Sequence, residues 1–343
     1  MDPDSLADMF AGDFTVKNST ADTDELHPRF AQFKNEGKIR ESQQRRRREV
    51  LERQKENRFN YVNRLRKIAV GEELSSDEED AQEPMDLKIN QEAAAYGYQP
   101  ARPKPYANKL MLSEWLVDIP EEDRLSGEWL MVPCPKGRRC LLVASGGVTS
   151  AYSKSGYRVD QFQSYFPGGS RSDSGWTTIM DGIIDNRKKI FYGLDLLMWK
   201  DNPMDSSDYA CRHFMMESRI CENPLMGEKS RRYPYRFVSL PAIKCTREDM
   251  EGFMEHHDGY YIDGLLFFHS QVLYSPGQNP LVGWLKPWML PEILKVSVPE
   301  KFTKNVPELQ AGGAQAFISK FNSEHKHKSQ IRADEEMDEE EVV

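Results

Sequence analysis

Tyr261-Ile262-Asp263-Gly264-Leu265-Leu266-Phe267-Phe268 is a run of strand length, rich in aliphatic and aromatic residues and broken by one Asp-Gly pair. A continuous apolar stretch this short, with aromatic and β-branched members, reads as a buried strand. Two more segments read alike: Arg139-Cys140-Leu141-Leu142-Val143-Ala144-Ser145 and Ile190-Phe191-Tyr192-Gly193-Leu194-Asp195-Leu196-Leu197. Pro167-Gly168-Gly169 and Ser275-Pro276-Gly277 punctuate the chain as turns. Strands separated by long connections predict an α+β domain with a surface site.

Outside this region the composition changes. Only 38% of the 343 residues are hydrophobic and the mean hydropathy is −0.70, so one globular domain with polar flanks is expected. Residues 27–70 hold 14 Lys/Arg against five Asp/Glu, which leaves −18 on the rest of a chain of net charge −9. Segregated basic charge points to a polyanion or an acidic protein groove as partner. From Ile39 to Val70 there is no Gly or Pro, and good helix formers dominate, so one long helix is expected. That helix has too narrow an apolar stripe to fold on a core of its own.

After Gly71, eight acidic residues and no basic one occur between Glu72 and Asp86, a solvated linker. The expected organisation is an unstructured segment at 1–26, the basic helix at 27–70, the acidic linker at 71–104, the domain at 105–298 and an unstructured acidic tail at 299–343. Leu6, Phe10, Phe14 and Val16 are spaced as in a peptide that docks into a groove, and the pattern is similar to a leucine-rich nuclear export signal. Five cysteines without a C-x-x-C pair or a zinc-like Cys/His cluster are expected to be reduced thiols. No metal or cofactor is expected, and no apolar run reaches the length of a membrane span; a protein of cytoplasm and nucleus fits these features.

Arg45-Arg46-Arg47-Arg48, with Arg40, Arg53, Lys55, Arg58, Arg64, Arg66 and Lys67, puts positive charge on every side of the helix. All-round charge suits enclosure by an acidic protein surface; gripping RNA phosphates is the rival reading. His27-Pro28-Arg29-Phe30, the arginine run, Arg58-Phe59-Asn60-Tyr61-Val62-Asn63 and Arg64-Leu65-Arg66 follow one another in an order similar to the importin-β-binding domain of the snurportin family. The resemblance implies that Arg29, Arg45 to Arg48, Arg53, Arg64 and Arg66 contact importin-β.

The same family is resembled further on, by Tyr106-Ala107-Asn108-Lys109-Leu110-Met111-Leu112-Ser113-Glu114-Trp115-Leu116 and by Thr149-Ser150-Ala151-Tyr152-Ser153-Lys154-Ser155-Gly156-Tyr157. Tyr274-Ser275-Pro276-Gly277 and Pro280-Leu281-Val282-Gly283-Trp284-Leu285-Lys286-Pro287 complete the match. It spans most of residues 25–295 and implies a pocket for the 2,2,7-trimethylguanosine cap of small nuclear RNA. Partners would then be importin-β, capped small nuclear RNPs and, through the first twenty residues, an exportin, in a shuttling adaptor that uses neither membrane nor DNA.

The chemistry is consistent. An N7-methylated guanine is a delocalised cation that stacks on an indole, and Trp284 is the candidate, although a Trp between Gly283 and Leu285 can equally be core. Dimethylation removes the donors of the exocyclic amine, so selectivity needs apolar room, which Leu112 and Trp115 would floor, with Ser113 adding a polar contact. The triphosphate bridge would use Gly137, Arg138, Arg139 and Lys154.

The resemblance also implies a fold like the nucleotide-binding domain of mRNA guanylyltransferases. Asp263-Gly264-Leu265-Leu266-Phe267 resembles their D-G-x-x-[FI] strand. Their nucleophile motif K-x-D-G is incomplete here, because Lys154-Ser155-Gly156 lacks the acid, and Trp284-Leu285-Lys286-Pro287 stands in place of K-W-K-P. Stacking needs an aromatic where phosphoryl transfer needs charge, so a binder is expected and not an enzyme. A nuclear RNA-binding protein with an RNA-gripping helix, or a guanylyltransferase-like enzyme, are the alternatives.

Overall fold

The computed structural model describes residues 43–59, 104–304, 306 and 312–322. Leu6, Phe10, Phe14, Val16, Arg29, Arg64, Arg66 and the acidic run 72–86 lie outside the described residues.

Two sheets face each other. One has five strands in the order β1 (Met111–Trp115), β12 (Gly277–Leu285), β11 (Ile262–His269), β2 (Trp129–Pro135), β10 (Ile243–Lys244). The other has seven, along the path β5 (Arg158–Phe162), β4 (Val148–Tyr152), β3 (Arg138–Ser145), β6 (Thr177–Asp185), β7 (Ile190–Trp199), β8 (Asn202–Pro203), with β9 (Arg236–Ser239) also paired to β7. Pairing is antiparallel except for β1 with β12 and β7 with β9. Helices are α1 at 43–59, α2 (Glu122–Glu128), α3 (Tyr209–Cys221), α4 (Arg247–His256), α5 (Leu290–Ile293) and α6 at 313–322. The expected α+β architecture is the one found.

Leu265 to Phe268 of β11 are apolar without a break because both faces of the strand are covered there. Leu265 and Phe267 pack with Met131, Leu285, Trp288, Leu290, Ile293 and Ile318 on the outer, helix-covered side. Leu266 and Phe268 alternate to the inner side, where Val132, Cys134 and Val282 meet Ile183, Ile190, Tyr192 and Leu194 of the second sheet. Each of these fully buried side chains contributes about 1.5–3 kcal/mol. β3 alternates in the same way: Cys140, Leu142 and Ala144 pack against Met216, Ile220 and Phe237 on the far side, while Leu141 and Val143 meet Leu110.

Two elements differ from the sequence expectation. The chain beyond 299 was expected to be polar tail, yet over 313–322 it forms α6, whose Ala314 and Ile318 are buried and whose Phe317 packs edge-on to Trp115 and Trp288. Three apolar residues at helical spacing (Ala314, Phe317, Ile318) are enough to close the outer core against α5. Conversely, α1 is not a free helix: Gln43 and Arg47 are buried against the domain, which supplies the packing that the helix lacks by itself.

Buried charge is fully paired at two places between the sheets. Arg212 forks onto Asp195 through two 2.8 Å bonds and donates to the Val272 carbonyl. Arg139 forks onto Asp181 (3.0 and 2.8 Å). Removing one partner of such a pair costs about 3–5 kcal/mol, so both pairs fix the geometry of the strands that carry them.

Candidate functional site

Trp284 lies near the end of β12, with Trp115 of β1 and Leu266 of β11 as its register partners. Its ring is half-buried and rests directly on the backbone of Gly264: a Cβ there would stand 1.9 Å from Cζ2 of the indole. The Lys286 ammonium sits 5.6 Å from the ring centroid and is held by Asp263, at 3.2 Å from the carboxylate and 2.9 Å from the carbonyl. Asp263-Gly264, suggestive in sequence of a nucleotide-binding strand, thus forms the seat of the aromatic ring. A methyl group at this position overpacks the ring contact by about 1–3 kcal/mol. Gly264→Ala is expected to shift the indole emission and to weaken any ligand stacked on Trp284 by roughly tenfold; unaltered emission and unaltered binding would show that the ring's seat is unimportant.

Leu112 and Ser113 precede Trp115 on β1. Leu112 packs against the buried cluster of Leu110, Leu141 and Val143, on which Tyr106, Tyr152 and Leu197 also pack, and Tyr106 and Tyr152 have their rings 4.3 Å apart. Lys154 is exposed on the β4–β5 turn, where its carbonyl accepts from the Asn108 amide at 2.8 Å. This bond and the Ala107–Ser155 bridge bring the Lys154 turn to the segment leading into β1. The Lys154 turn therefore lies against the segment that leads into the strand carrying Leu112. Trp115 is engaged on its other flank by Phe317 and Phe321 of α6.

Gly137 of the β2–β3 turn and Arg138, the first residue of β3, are exposed. They line a cavity of about 770 Å³ with Lys136, Arg187, Lys188, Tyr192, Tyr260, Tyr261 and Asp263. Gly137 is required by packing as well, since a Cβ would stand 2.6 Å from Cγ2 of Ile183. Arg139 does not join them as a phosphate ligand. Its guanidinium is spent on Asp181, whose Oδ2 also accepts from the Tyr274 hydroxyl at 2.8 Å, and that hydroxyl accepts from the Met111 amide at 3.0 Å. Arg139 therefore positions the start of β1 instead of forking onto a ligand. An arginine beside another on a strand faces the opposite way, and this one faces a buried carboxylate that the sequence did not reveal.

The basic helix sits beside the same strand. Arg46 is bound by the Glu114 carboxylate, with its Nη2 2.8 Å from Oε2, and Gln43 donates to the Trp115 carbonyl at 3.1 Å. Arg47 is buried, donates to the carbonyls of Pro280 (3.0 Å) and Asp118 (2.8 Å), and lies 5.0 Å from the Trp129 ring centroid. Burial lowers its pKa to about 10. His269 packs edge-on to Trp129 beneath this contact, and burial holds its pKa below the usual value. Arg45, Arg48 and Arg53 remain exposed.

Burial pushes the Cys134 and Cys140 thiols up to about 12, and among the described residues no His/Cys/Asp/Glu group has metal-binding geometry. No helix among them is long and apolar enough to cross a membrane. Sequence reasoning missed Gly264 as the ring's seat and the cations of the β6–β7 turn, for which the run Asn186-Arg187-Lys188-Lys189 was the available signal.

A family model described as "Snurportin1, m3G cap-binding domain" matches residues 109–287, and one described as "Snurportin1" matches residues 27–67. Solved structures similar to this chain include the ligase domain of M. tuberculosis LigD, at 16% identity over 51% of this chain and 58% of that one, with a TM-score of 0.37. A mycobacterial DNA ligase D complexed with ATP and MES gives 15% identity, 52% and 60% coverage and 0.38. Chlorella virus DNA ligase-adenylate gives 12%, 52%, 69% and 0.37. The chain spans under two thirds of the first two, and likeness at this level carries nothing about activity.

Proposed function

The chain belongs to the snurportin family, and from that premise we propose that Trp284, seated on Gly264, stacks the trimethylguanine of the cap. The family's two regions make the protein an adaptor for nuclear import of small nuclear RNPs, one binding the m3G cap and the other importin-β. The observation that carries the site reading is the half-buried indole seated on Gly264, the residue that follows Asp263 of a cation-lined cavity. Leu112 and Trp115 on the neighbouring β1 give the methyl groups an apolar floor, Ser113 adds a polar contact, and Arg138 with Lys154 neutralises the triphosphate bridge. Arg139 has the supporting part described above.

The domain binds and does not transfer. Lys154, which stands where a guanylyltransferase has its nucleophile, is exposed on a turn and is followed by Ser155-Gly156 instead of an acid and glycine. The boundaries 27–70 and 105–298 serve as the import and cap modules, and Leu6, Phe10, Phe14 and Val16 return the unloaded adaptor through an exportin.

Titration of indole emission with trimethylguanosine-capped and monomethylguanosine-capped dinucleotides tests the site. The trimethylated cap is expected to quench and to bind at least tenfold tighter, because the apolar floor gains the two methyl groups, each worth up to about 0.8 kcal/mol, and offers no acceptor to an unmethylated amine. Equal affinity for both would remove the cap assignment from Trp284.

A further inference from the structure

The cavity at the open end of the two sheets has a composition that the cap does not use up. Four cations line it, Lys136 from the β2–β3 turn, Arg138 from the start of β3, and Arg187 and Lys188 from the β6–β7 turn. None of the four makes an ion pair among the described residues. Two carboxylates share the lining with them: Asp185 accepts from the Arg187 and Lys188 amides at 3.0 and 2.9 Å, and Asp263 holds Lys286, so four cations stand against two carboxylates. Lys229 in turn donates to the Lys188 carbonyl, which fixes the turn from outside. In a chain of net charge −9, a concave site with an excess of positive charge focuses potential on an anion.

Aromatic faces accompany the cations. Tyr261 is 71% exposed, a large ring left in water at the cavity wall. Behind it Tyr260 meets Tyr192 edge-on at 5.4 Å and donates to the Pro133 carbonyl at 2.9 Å, so that part of the wall is rigid. Cations that track a phosphodiester backbone, interleaved with an exposed ring that stacks a base, are the make-up of a surface for single-stranded nucleic acid. An acidic peptide would find the charge but would leave the exposed tyrosine without a use. Asp263 lines the cavity and Gly264, the next residue, seats Trp284, so the cavity wall and the ring's seat are continuous.

We propose that this cavity is a second RNA subsite, which binds the first nucleotides after the cap through Lys136, Arg187 and Lys188 on phosphates and Tyr261 on a base. It rests on the cap reading for its direction but on separate residues for its contacts. The full chain is titrated by anisotropy with a trimethylguanosine-capped dinucleotide and with a capped RNA hexamer. The hexamer should bind roughly tenfold tighter at low salt. Its plot of log affinity against log salt should be steeper by about 2, which corresponds to three further phosphates on a single strand.

Arg187, Lys188 and Tyr261 are exposed turn and wall residues, so the combined variant Arg187→Glu, Lys188→Glu, Tyr261→Ala is expected to keep the fold, as its circular dichroism would verify. It should lower the hexamer to the dinucleotide's affinity and leave the dinucleotide within twofold of wild type. The inference is overturned if wild type binds both ligands equally, if the gain survives in the variant, or if polyglutamate competes as well as an RNA of equal charge. Should the dinucleotide fail to bind while the hexamer's affinity still depends on these three residues, the cap reading falls and the subsite stands.

Discussion

Trp284→Ala is expected to weaken binding of the trimethylguanosine-capped dinucleotide by roughly 5- to 150-fold while importin-β capture stays at the wild-type level. Stacking of a base on an aromatic side chain is worth about 1–3 kcal/mol, and the positive charge of the methylated guanine places it in the upper part of that range. The ring is half-buried and sits on glycine, with no side-chain hydrogen bond of its own among the described residues, so its loss is felt mainly by the ligand. Trp284→Phe keeps a smaller π-face and should recover part of the affinity. If Trp284→Ala binds the dinucleotide like wild type, the cap lies elsewhere on the domain. Loss of importin-β capture as well would mean that the variant had disturbed β12 and, through it, the Pro280 carbonyl that holds Arg47.

Why the strands were legible and parts of the site were not has a physical basis. β11 announced itself because both of its faces are covered, one by α4, α5 and α6 and the other by the second sheet, and double burial writes a continuous apolar run. Trp284 was readable from its neighbours Gly283 and Leu285-Lys286-Pro287 only as an aromatic of uncertain exposure; what makes it a platform is Gly264, twenty residues earlier and on the adjacent strand. Arg139 and Arg138 are adjacent in sequence and chemically identical, and only the alternation of β3, which sends one to Asp181 and the other to the rim, separates structural from ligand-facing charge. The β6–β7 turn joins the cavity by tertiary proximity to a turn some fifty residues away, which no local pattern encodes. α6 was hidden in a polar tail because three apolar side chains suffice to dock a helix onto a core that is already formed.

Reversing Arg45, Arg46, Arg47 and Arg48 to glutamate should abolish importin-β capture and leave cap-dinucleotide affinity unaltered, the second large effect. Truncating one member of a desolvated, hydrogen-bonded charge pair at an interface costs about 2–5 kcal/mol, and reversal adds repulsion; four such changes exceed what a helix that must also be ordered on binding can lose. The structure divides the four further. Arg45 and Arg48 are exposed, with Arg45 only 3.4 Å from Glu49 one turn on, so Arg45→Glu with Arg48→Glu should reduce capture alone. Arg46 and Arg47 hold α1 to Glu114, Asp118 and Pro280, so Arg46→Glu with Arg47→Glu should also free the helix, seen as faster hydrogen exchange over 43–59. Glu114→Gln removes the domain's half of the Arg46 pair and leaves every arginine in place; it should speed exchange in α1 and capture importin-β at least as well as wild type, because the helix no longer has to be pulled from the domain before it is enclosed. Exchange that is unaltered in both variants would show that these side chains do not hold the helix. Full capture by the fourfold reversal would remove importin-β from the basic segment and leave direct RNA contact as its use.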